Sequence, residues 1–216
     1  MAKPYARNLR RRRSFREPNR RFVLFCEGAN TEPGYFRALR RTVQRALIEI
    51  QIESAVGVPL TIAQKAIERS QKFSASRKVR KTRNSFEEHD QTWAVFDRDD
   101  HPRFDEAVRL CEQHGVNVAR SNPCFEVWLI LHHEDFNKPL DRYKVQRHFQ
   151  TLHPKYDCDG GKEVDAPAIL QHIAKAERLA QRQLKQRAKE GDPFGRPSTT
   201  VHLLTMAIRA TDKKAG

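Results

Sequence analysis

Two apolar segments of strand length are each followed by acidic residues. Glu27 comes directly after Arg21-Phe-Val-Leu-Phe-Cys26, and Asp97 and Asp99 follow Gln91-Thr-Trp-Ala-Val-Phe96. Both segments have the continuous hydrophobicity that is typical of buried parallel strands. Ligands bind beyond the carboxyl ends of such strands, so we expect these carboxylates to meet at one edge of a sheet. Carboxylate oxygens are ligands that suit Mg²⁺, which assists phosphodiester chemistry.

Each half of this pattern also has a simpler interpretation. An Asp-x-Asp sequence is typical of a turn or a helix cap, and Glu27-Gly28 after a strand is typical of a turn. The combination of strand, Glu-Gly and helix with strand, Asp-x-Asp and helix is more specific, and it predicts a metal site. Asp100 extends the acidic run. The sequence therefore leaves open which two of the three aspartates face the metal.

The positive charge is concentrated in two segments. The chain has 41 Lys and Arg against 27 Asp and Glu, a formal net charge of +14. Residues 1–21 contain nine basic residues and one acidic, and residues 65–83 contain eight and one. Such segments favour a nucleic acid partner because each neutralised phosphate releases counterions. Solvated segments that serve solubility are the alternative. The residues expected to bind the phosphate backbone are Arg77, Lys78, Arg80 and Lys81.

Apolar strands alternate with helices, which predicts an α/β fold with a largely parallel central sheet flanked by helices. Thr31 is expected to cap the first helix. Residues 49–56 fit either a second strand or a continuation of that helix. Helices are also expected at about 61–71, 102–114 and 166–190, after Ser121-Asn-Pro and after Pro197, with a short strand at 116–119 and a loop-rich segment at 137–161.

The chain divides into a flexible basic tail (1–20), an α/β core (21–135) and a helical C-terminal extension packed on the core (136–216). No apolar run approaches the roughly 20 residues that cross a bilayer, so we expect no membrane association. No apolar segment follows the basic N-terminus, which argues against a secretory signal. The four cysteines lack CxxC spacing and are expected to be free thiols in the cytoplasm.

Several short sequences resemble the RloB-like family. They are Cys26-Glu-Gly-Ala-Asn-Thr-Glu32 with Tyr35-Phe36, Phe96-Asp-Arg-Asp99, Ser121-Asn-Pro-Cys-Phe-Glu-Val-Trp-Leu-Ile-Leu-His132 and Pro197-Ser-Thr199. The resemblance extends from about Phe22 to Ile208 and is most specific in the Ser-Asn-Pro-x-Phe-Glu-x-Trp block. Arg196 departs from the Asn that often precedes Pro-Ser-Thr in the family, which puts only a C-terminal contact in doubt.

The resemblance implies a Toprim (topoisomerase–primase) type of domain in a protein of prokaryotic defence loci, often beside an ATPase partner called RloA. By the same resemblance Glu27 is a metal ligand or a general acid or base, and Asp97 and Asp99 are metal ligands. Related overcoming-lysogenization-defect nucleases add a Ser-x-x-Glu-like element. That element makes Glu126, together with Ser121, a candidate for a second metal.

Four further residues are candidates for supporting roles at this site: Glu32, Asp100, Ser121 and Asn122. A simpler role for Glu32 is to stabilise the dipole of its helix. A simpler role for Asn122, which precedes Pro123 at a helix start, is that of a cap. Glu126 lies in an apolar helix, where a carboxylate is costly unless it is paired or bound to metal. His132 and His133 are adjacent on a helix and point in different directions, so we expect neither to join the site.

These features predict a nuclease that depends on Mg²⁺ or Mn²⁺, hydrolyses DNA or RNA and acts in antiviral defence. Two alternatives stay open at this point. One is a non-catalytic nucleic-acid-binding subunit, and the other is an adaptor that docks onto an ATPase.

Overall fold

The computed structural model describes residues 20–44, 46–52, 59–79, 90–98 and 103–213. Strands and helices alternate through the first half, and helices dominate the second. The strands are β1 (Arg20–Cys26), β2 (Ala46–Ile52), β3 (Gln91–Asp97), β4 (Asn117–Asn122) and β5 (Ser198–Thr199). The helices are α1 (Thr31–Thr42), α2 (Pro59–Val79), α3 (Phe104–Gln113), α4 (Glu126–His133), α5 (Arg142–Leu152), α6 (Ala166–Leu170), α7 (Ile173–Lys189) and α8 (Val201–Lys213).

The five strands form one sheet in the order β2-β1-β3-β4-β5. The first four strands are parallel, and the short β5 pairs antiparallel with β4. The predicted α/β fold with a mostly parallel sheet flanked by helices is therefore confirmed. The chain places β2 on one side of β1 and then crosses back to place β3 on the other side of β1. This reversal opens a crevice between the carboxyl ends of β1 and β3, which is where open α/β sheets bind ligands.

Side chains of the central strands alternate between two hydrophobic cores. In β1, Phe22 and Leu24 lie on the face covered by α1 and by helices α4 to α8, while Val23 and Phe25 lie on the face covered by α2 and α3. This alternation is what a parallel strand buried on both faces requires. Burying each such large apolar side chain contributes about 1.5–3 kcal/mol to stability. The C-terminal helices share the core of β1, so they pack directly on the sheet.

Three elements differ from the sequence-based expectation. The segment 137–161 contains helix α5, because Val145 and Phe149 form a buried stripe and Asp141 accepts a hydrogen bond from the Lys144 N–H. The helix predicted at 166–190 is divided into α6 and α7 by a turn at residues 171–172. Thr31 is the first residue of α1 and not its cap.

The segment around residue 50 is a strand. Pairing of β2 with β1, with Cys26 opposite Ile52, settles the choice between strand and helix. Strand β5 lacked a sequence signal because it has two residues. All four cysteines are buried and unpaired, as expected. In the part of the chain described here, no helix is both long and apolar enough to span a membrane.

The predicted basic segments fall largely outside the described residues. The tail at 1–19, Arg80 and Lys81 lie outside them, as do the side chains of Arg77 and Lys78. The backbone of Arg77 and Lys78 belongs to the last turn of α2. Because β2 and β3 both run parallel to β1, α2 returns the chain to the edge where β3 begins. That edge is opposite the one where β1 and β3 end.

Candidate functional site: an acidic cleft at the carboxyl edge of the sheet

The structure brings Glu27 and Asp97 together at the crevice between β1 and β3. Glu27 follows the last residue of β1, and Asp97 is the last residue of β3. The backbone N–H of Asp97 donates a hydrogen bond of 3.2 Å to Oε2 of Glu27, and the Glu27 N–H donates to the carbonyl of Val95 at 3.2 Å. The two acidic residues are thus held beside each other by the ends of two neighbouring strands.

A cleft of about 300 Å³ opens at this point. Four carboxylates line it, together with two cations and several glycines from separate parts of the chain. Its lining residues are Glu27, Gly28, Ala29, Asn30, Thr31, Glu32, Asp97, Glu126, Arg142, Gly160, Gly161 and Lys162. Two of the residues predicted from sequence, Glu32 and Glu126, therefore lie in the same cleft as Glu27 and Asp97.

Glu32 lies in the first turn of α1 with its side chain folded back over Gly28. It is 5% exposed, and a Cβ on residue 28 would overlap the Glu32 carboxylate. Burial raises the pKa of Glu32 from 4.5 to about 7, and repulsion from Glu126 and Glu27 adds to this effect. The backbone N–H groups of Glu32 and Gly28 oppose the rise in pKa because they favour the ionised carboxylate. Glu32 is consequently poised to exchange a proton near neutral pH.

Asp97 is buried among like charges. Desolvation raises the pKa of the Asp97 carboxyl well above its usual range, and Glu32, Glu126 and Glu27 raise it further in that order. Arg142 opposes them by favouring the charged form. The carboxylates of this cleft are therefore close enough to repel one another, and each gains from a nearby cation.

Glu126 is the first residue of α4 and is 3% exposed. Its carboxylate accepts a hydrogen bond from the Tyr156 hydroxyl group and lies 3.5 Å from the side-chain amide of Gln146. A buried carboxylate is costly unless its oxygens are satisfied. The Tyr156 hydroxyl group, from the C-terminal part, therefore satisfies Glu126 at the cleft, and Gln146 lies beside it.

Two cations from the C-terminal part face the acidic side chains. Arg142 begins α5, and Lys162 lies in the loop between α5 and α6. Lys162 has a backbone φ of 51°, a left-handed conformation that is uncommon outside glycine. The loop is fastened to the turn after β1 and to the start of α1, because Asn30 Nδ2 donates to the Gly161 carbonyl at 2.7 Å and Thr31 Oγ1 donates to the Lys162 carbonyl at 2.9 Å.

Ser121 and Asn122 lie at the end of β4 but do not line the cleft. The hydroxyl groups of Ser121 and Thr199 are hydrogen-bonded at 3.0 Å, which joins β4 to β5. Asn122 donates to the carbonyl of Phe194 at 2.8 Å. Both side chains therefore connect the sheet to the C-terminal segment. Asp99 and Asp100 lie outside the described residues.

His132 is buried in the core, away from the cleft. Its Nε2 and the Tyr35 hydroxyl are 3.0 Å apart, and its Nδ1 is 3.0 Å from the carbonyl of Trp128. Desolvation lowers the pKa of His132 to about 3, so the ring is neutral at physiological pH. Neither His132 nor His133 is among the residues that line the cleft.

The donor chemistry of the cleft suits a hard divalent cation. Its ligands would be carboxylate oxygens, and Mg²⁺ prefers oxygen ligands and retains several waters. Desolvation raises the pKa of Asp97 and repulsion raises it further, and a cation would offset that repulsion. Within the described ranges, no three His, Cys, Asp or Glu side chains converge closely enough to hold a metal as they stand. Cation binding would therefore require small side-chain movements or a further ligand.

Sequence reasoning missed four residues of the C-terminal part. Arg142 and Lys162 line the cleft, and Gln146 and Tyr156 contact Glu126. The available signal was the four-residue spacing of Val145 and Phe149, which is the stripe of an amphipathic helix. Once this segment is recognised as a helix, Arg142 and Gln146 lie on one edge of it, because they are four residues apart. Nothing in the local sequence indicates that this edge faces Glu126.

Most of the chain matches a known protein family. A family model described as RloB-like protein matches residues 22–208, which is most of the chain. No curated protein and no solved structure matches it significantly.

Proposed function

We propose that this chain, which belongs to the RloB-like family, is a divalent-metal-dependent nuclease that hydrolyses phosphodiester bonds in DNA or RNA. The observation that carries the proposal is the hydrogen-bonded junction of Glu27 and Asp97 in a cleft that also contains two cations. Carboxylates for a metal and cations for a phosphate are the two sets of groups that metal-assisted phosphodiester hydrolysis needs.

The carboxylates of Glu27 and Asp97, with Asp99 as the ligand expected from sequence, would hold Mg²⁺ or Mn²⁺. Glu126 is the candidate ligand for a second ion. A bound ion of this kind would polarise the phosphoryl oxygen and lower the pKa of a bound water.

Arg142 and Lys162 bind and orient the phosphate in this proposal. Both line the same cleft as the carboxylates, and an Arg guanidinium matches the geometry of two phosphate oxygens. Without these cations the acidic cleft would repel a polyanion. Their place in the cleft explains how a phosphodiester can approach four carboxylates.

Glu32 holds or releases a proton during the reaction. A general acid or base works best when its pKa lies near the operating pH, and the pKa of Glu32 is about 7. Glu27 is the alternative for this role, since it lies at the same edge of the cleft.

The proposal extends to the finer assignments that the family suggests. They are a Toprim-type domain, an antiviral role in the cytoplasm and cooperation with an RloA-type ATPase. The parallel sheet and the acidic residues after β1 and β3 are compatible with the Toprim assignment. Copurification with the ATPase at high salt, after nuclease treatment to remove nucleic acid, tests the partnership.

The direct test uses purified protein with Mg²⁺ or Mn²⁺ and a panel of DNA and RNA substrates. We expect cleavage by the wild type, none by Glu27→Gln or Asp97→Asn, and none in EDTA. Asp105→Asn, an exposed aspartate of α3, is the matched control and should cleave normally. Cleavage that persists in EDTA, or equal cleavage by Asp97→Asn and the wild type, would contradict the proposal.

A second candidate function is a nucleic-acid-binding subunit without catalysis. It is favoured by the formal net charge of +14, which suits a polyanionic partner whether or not the chain is catalytic. Its signature is binding that weakens steeply with salt, with no turnover under any metal. Nucleic acid binding by the wild type without cleavage in Mg²⁺ or Mn²⁺ would select this candidate.

A further inference from the structure

Tyr143 presents an aromatic ring to water beside the acidic cleft. Its side chain is 76% exposed. Among the described residues, the exposed large hydrophobic side chains are Tyr143, Leu203 and Met206, and Tyr143 is the one aromatic among them. An aromatic ring usually buries its faces in the core or against a partner. The exposure of this ring suggests a ligand with a flat face.

The geometry of α5 places this ring next to the cleft. Arg142 lines the cleft, and Gln146, four residues later, reaches Glu126, so these two residues mark the edge of α5 that faces the site. Residues one position along a helix are rotated by about 100°. Tyr143 and Arg147 therefore share the neighbouring edge, and both are exposed.

The surface around Tyr143 is basic. Lys144 and Arg147 are exposed on the same helix, and Arg142 and Lys162 lie in the adjoining cleft. Asp141 is the acidic neighbour and pairs with Lys144 at 2.9 Å. An exposed aromatic ring among Lys and Arg residues is the arrangement that binds single-stranded nucleic acid, because a base stacks on the ring while cations hold the phosphates.

The shape of the cleft favours a single strand over a duplex. Asp97 and Glu126 are 7% and 3% exposed inside a cleft of about 300 Å³. In a duplex every base is already stacked and paired, so none is available for a protein ring without extrusion. An unpaired strand can place a phosphate in the cleft and an adjacent base on a ring outside it.

We propose that Tyr143 is a stacking platform for one nucleobase of a single-stranded nucleic acid whose adjacent phosphate enters the acidic cleft. This inference rests on the proposed function for the fate of that phosphate, but the stacking itself requires only binding. It names the substrate class as unpaired DNA or RNA. A surface for a protein partner is the competing use of an exposed tyrosine, and it predicts no dependence of nucleic acid binding on the ring.

The test measures binding in EDTA, where no metal-dependent cleavage occurs. Full-length protein is titrated into fluorescently labelled oligonucleotides of about 12 nucleotides, as single-stranded DNA, single-stranded RNA and a blunt duplex, and anisotropy is recorded. We expect Tyr143→Ala and Tyr143→Leu to weaken single-strand binding about tenfold. Tyr143→Phe, which keeps the ring, should bind like the wild type. The duplex should bind more weakly and be insensitive to these substitutions.

Leu203→Ala is the matched control, since Leu203 is an exposed apolar residue of α8, and it should bind normally. The inference is overturned if Tyr143→Ala or Tyr143→Leu binds a single strand as tightly as the wild type. It is also overturned if the duplex binds as tightly as the single strand, or if the wild type binds neither. Ring-dependent binding without cleavage in Mg²⁺ would support the stacking site and contradict the nuclease proposal. Cleavage together with binding that does not depend on Tyr143 would support the nuclease proposal and contradict the stacking site.

Discussion

The backbone N–H of Asp97 donates a hydrogen bond to the Glu27 carboxylate, although the two residues are 70 positions apart in sequence. The donor belongs to the main chain, so a change of the Asp97 side chain leaves it in place. The orientation of Glu27 therefore depends on the pairing of β1 with β3. This is why Asp97→Asn is expected to remove a proposed metal ligand without disturbing its neighbour.

We expect divalent cations to stabilise the protein against heat. A cation that binds only the folded state raises the melting temperature, by roughly 5–10 °C for a chain of this size when its concentration is about 100 times its Kd. Thermal unfolding in EDTA and with added Mg²⁺ or Mn²⁺ measures the effect. Asp97→Asn should show little increase. An equal rise in Asp97→Asn and the wild type would argue that the ion binds elsewhere.

Gly28→Ala should impair the site while Gly34→Ala should not. A Cβ at residue 28 would overlap the Glu32 carboxylate, whereas a Cβ at residue 34 meets nothing within 4 Å. We expect the first substitution to displace Glu32 and reduce cleavage by on the order of a hundredfold.

The second substitution replaces a glycine inside α1 and should raise the free energy of unfolding by about 0.5–1 kcal/mol. Cleavage rates and urea unfolding of the two variants provide the comparison. Normal cleavage by Gly28→Ala would show that the position of Glu32 does not matter.

The metal-free protein should lose stability as the pH rises from the pKa of Glu32 in the unfolded chain to its pKa in the folded protein. Its pKa is raised from 4.5 to about 7 by burial, so above pH 4.5 the unfolded state loses this proton before the folded state does. The resulting destabilisation is complete above pH 7, and the rise in pKa corresponds to on the order of 3 kcal/mol.

Glu32→Gln cannot ionise at this position and should gain stability relative to the wild type between pH 5 and pH 8. Urea unfolding in EDTA at several pH values measures the difference. If the free energies of unfolding of the wild type and of Glu32→Gln change with pH in the same way across this range, Glu32 does not titrate as described.

Tyr156→Phe should destabilise the protein. The hydroxyl group of Tyr156 donates to the buried Glu126 carboxylate, and loss of a donor to a buried acceptor costs about 1–3 kcal/mol. Tyr143→Phe removes the same group from an exposed ring and should change the free energy of unfolding by less than about 0.5 kcal/mol. Similar small effects in both variants would mean that Glu126 does not depend on Tyr156.

The parts of the fold that sequence predicted well are those with strong local signals. The unbroken apolar runs of β1 and β3 leave few alternatives to buried parallel strands, and the acidic residues come directly after them. Because parallel strands end at one edge of a sheet, this was enough to predict that Glu27 and Asp97 lie close together. Glu126 was found through the resemblance of its surrounding block to a family.

The other half of the site depends on contacts that local sequence does not encode. Helix α5 has a mostly polar sequence between two prolines, which resembles a loop when its short apolar stripe is overlooked. Lys162 reaches the cleft because Asn30 and Thr31 bind the carbonyl groups of its loop. These hydrogen bonds join positions 131 residues apart, and no periodicity in either segment indicates the other.

The same two hydrogen bonds have a consequence for shortened forms of the protein. A chain that ended before residue 142 would retain Glu27, Glu32, Asp97 and Glu126 but lose Arg142 and Lys162. The two cations that line the cleft beside these four acidic residues would then be missing, and the remaining negative charge would repel a polyanion. The C-terminal half thus supplies the positive charge that the N-terminal half of this cleft lacks.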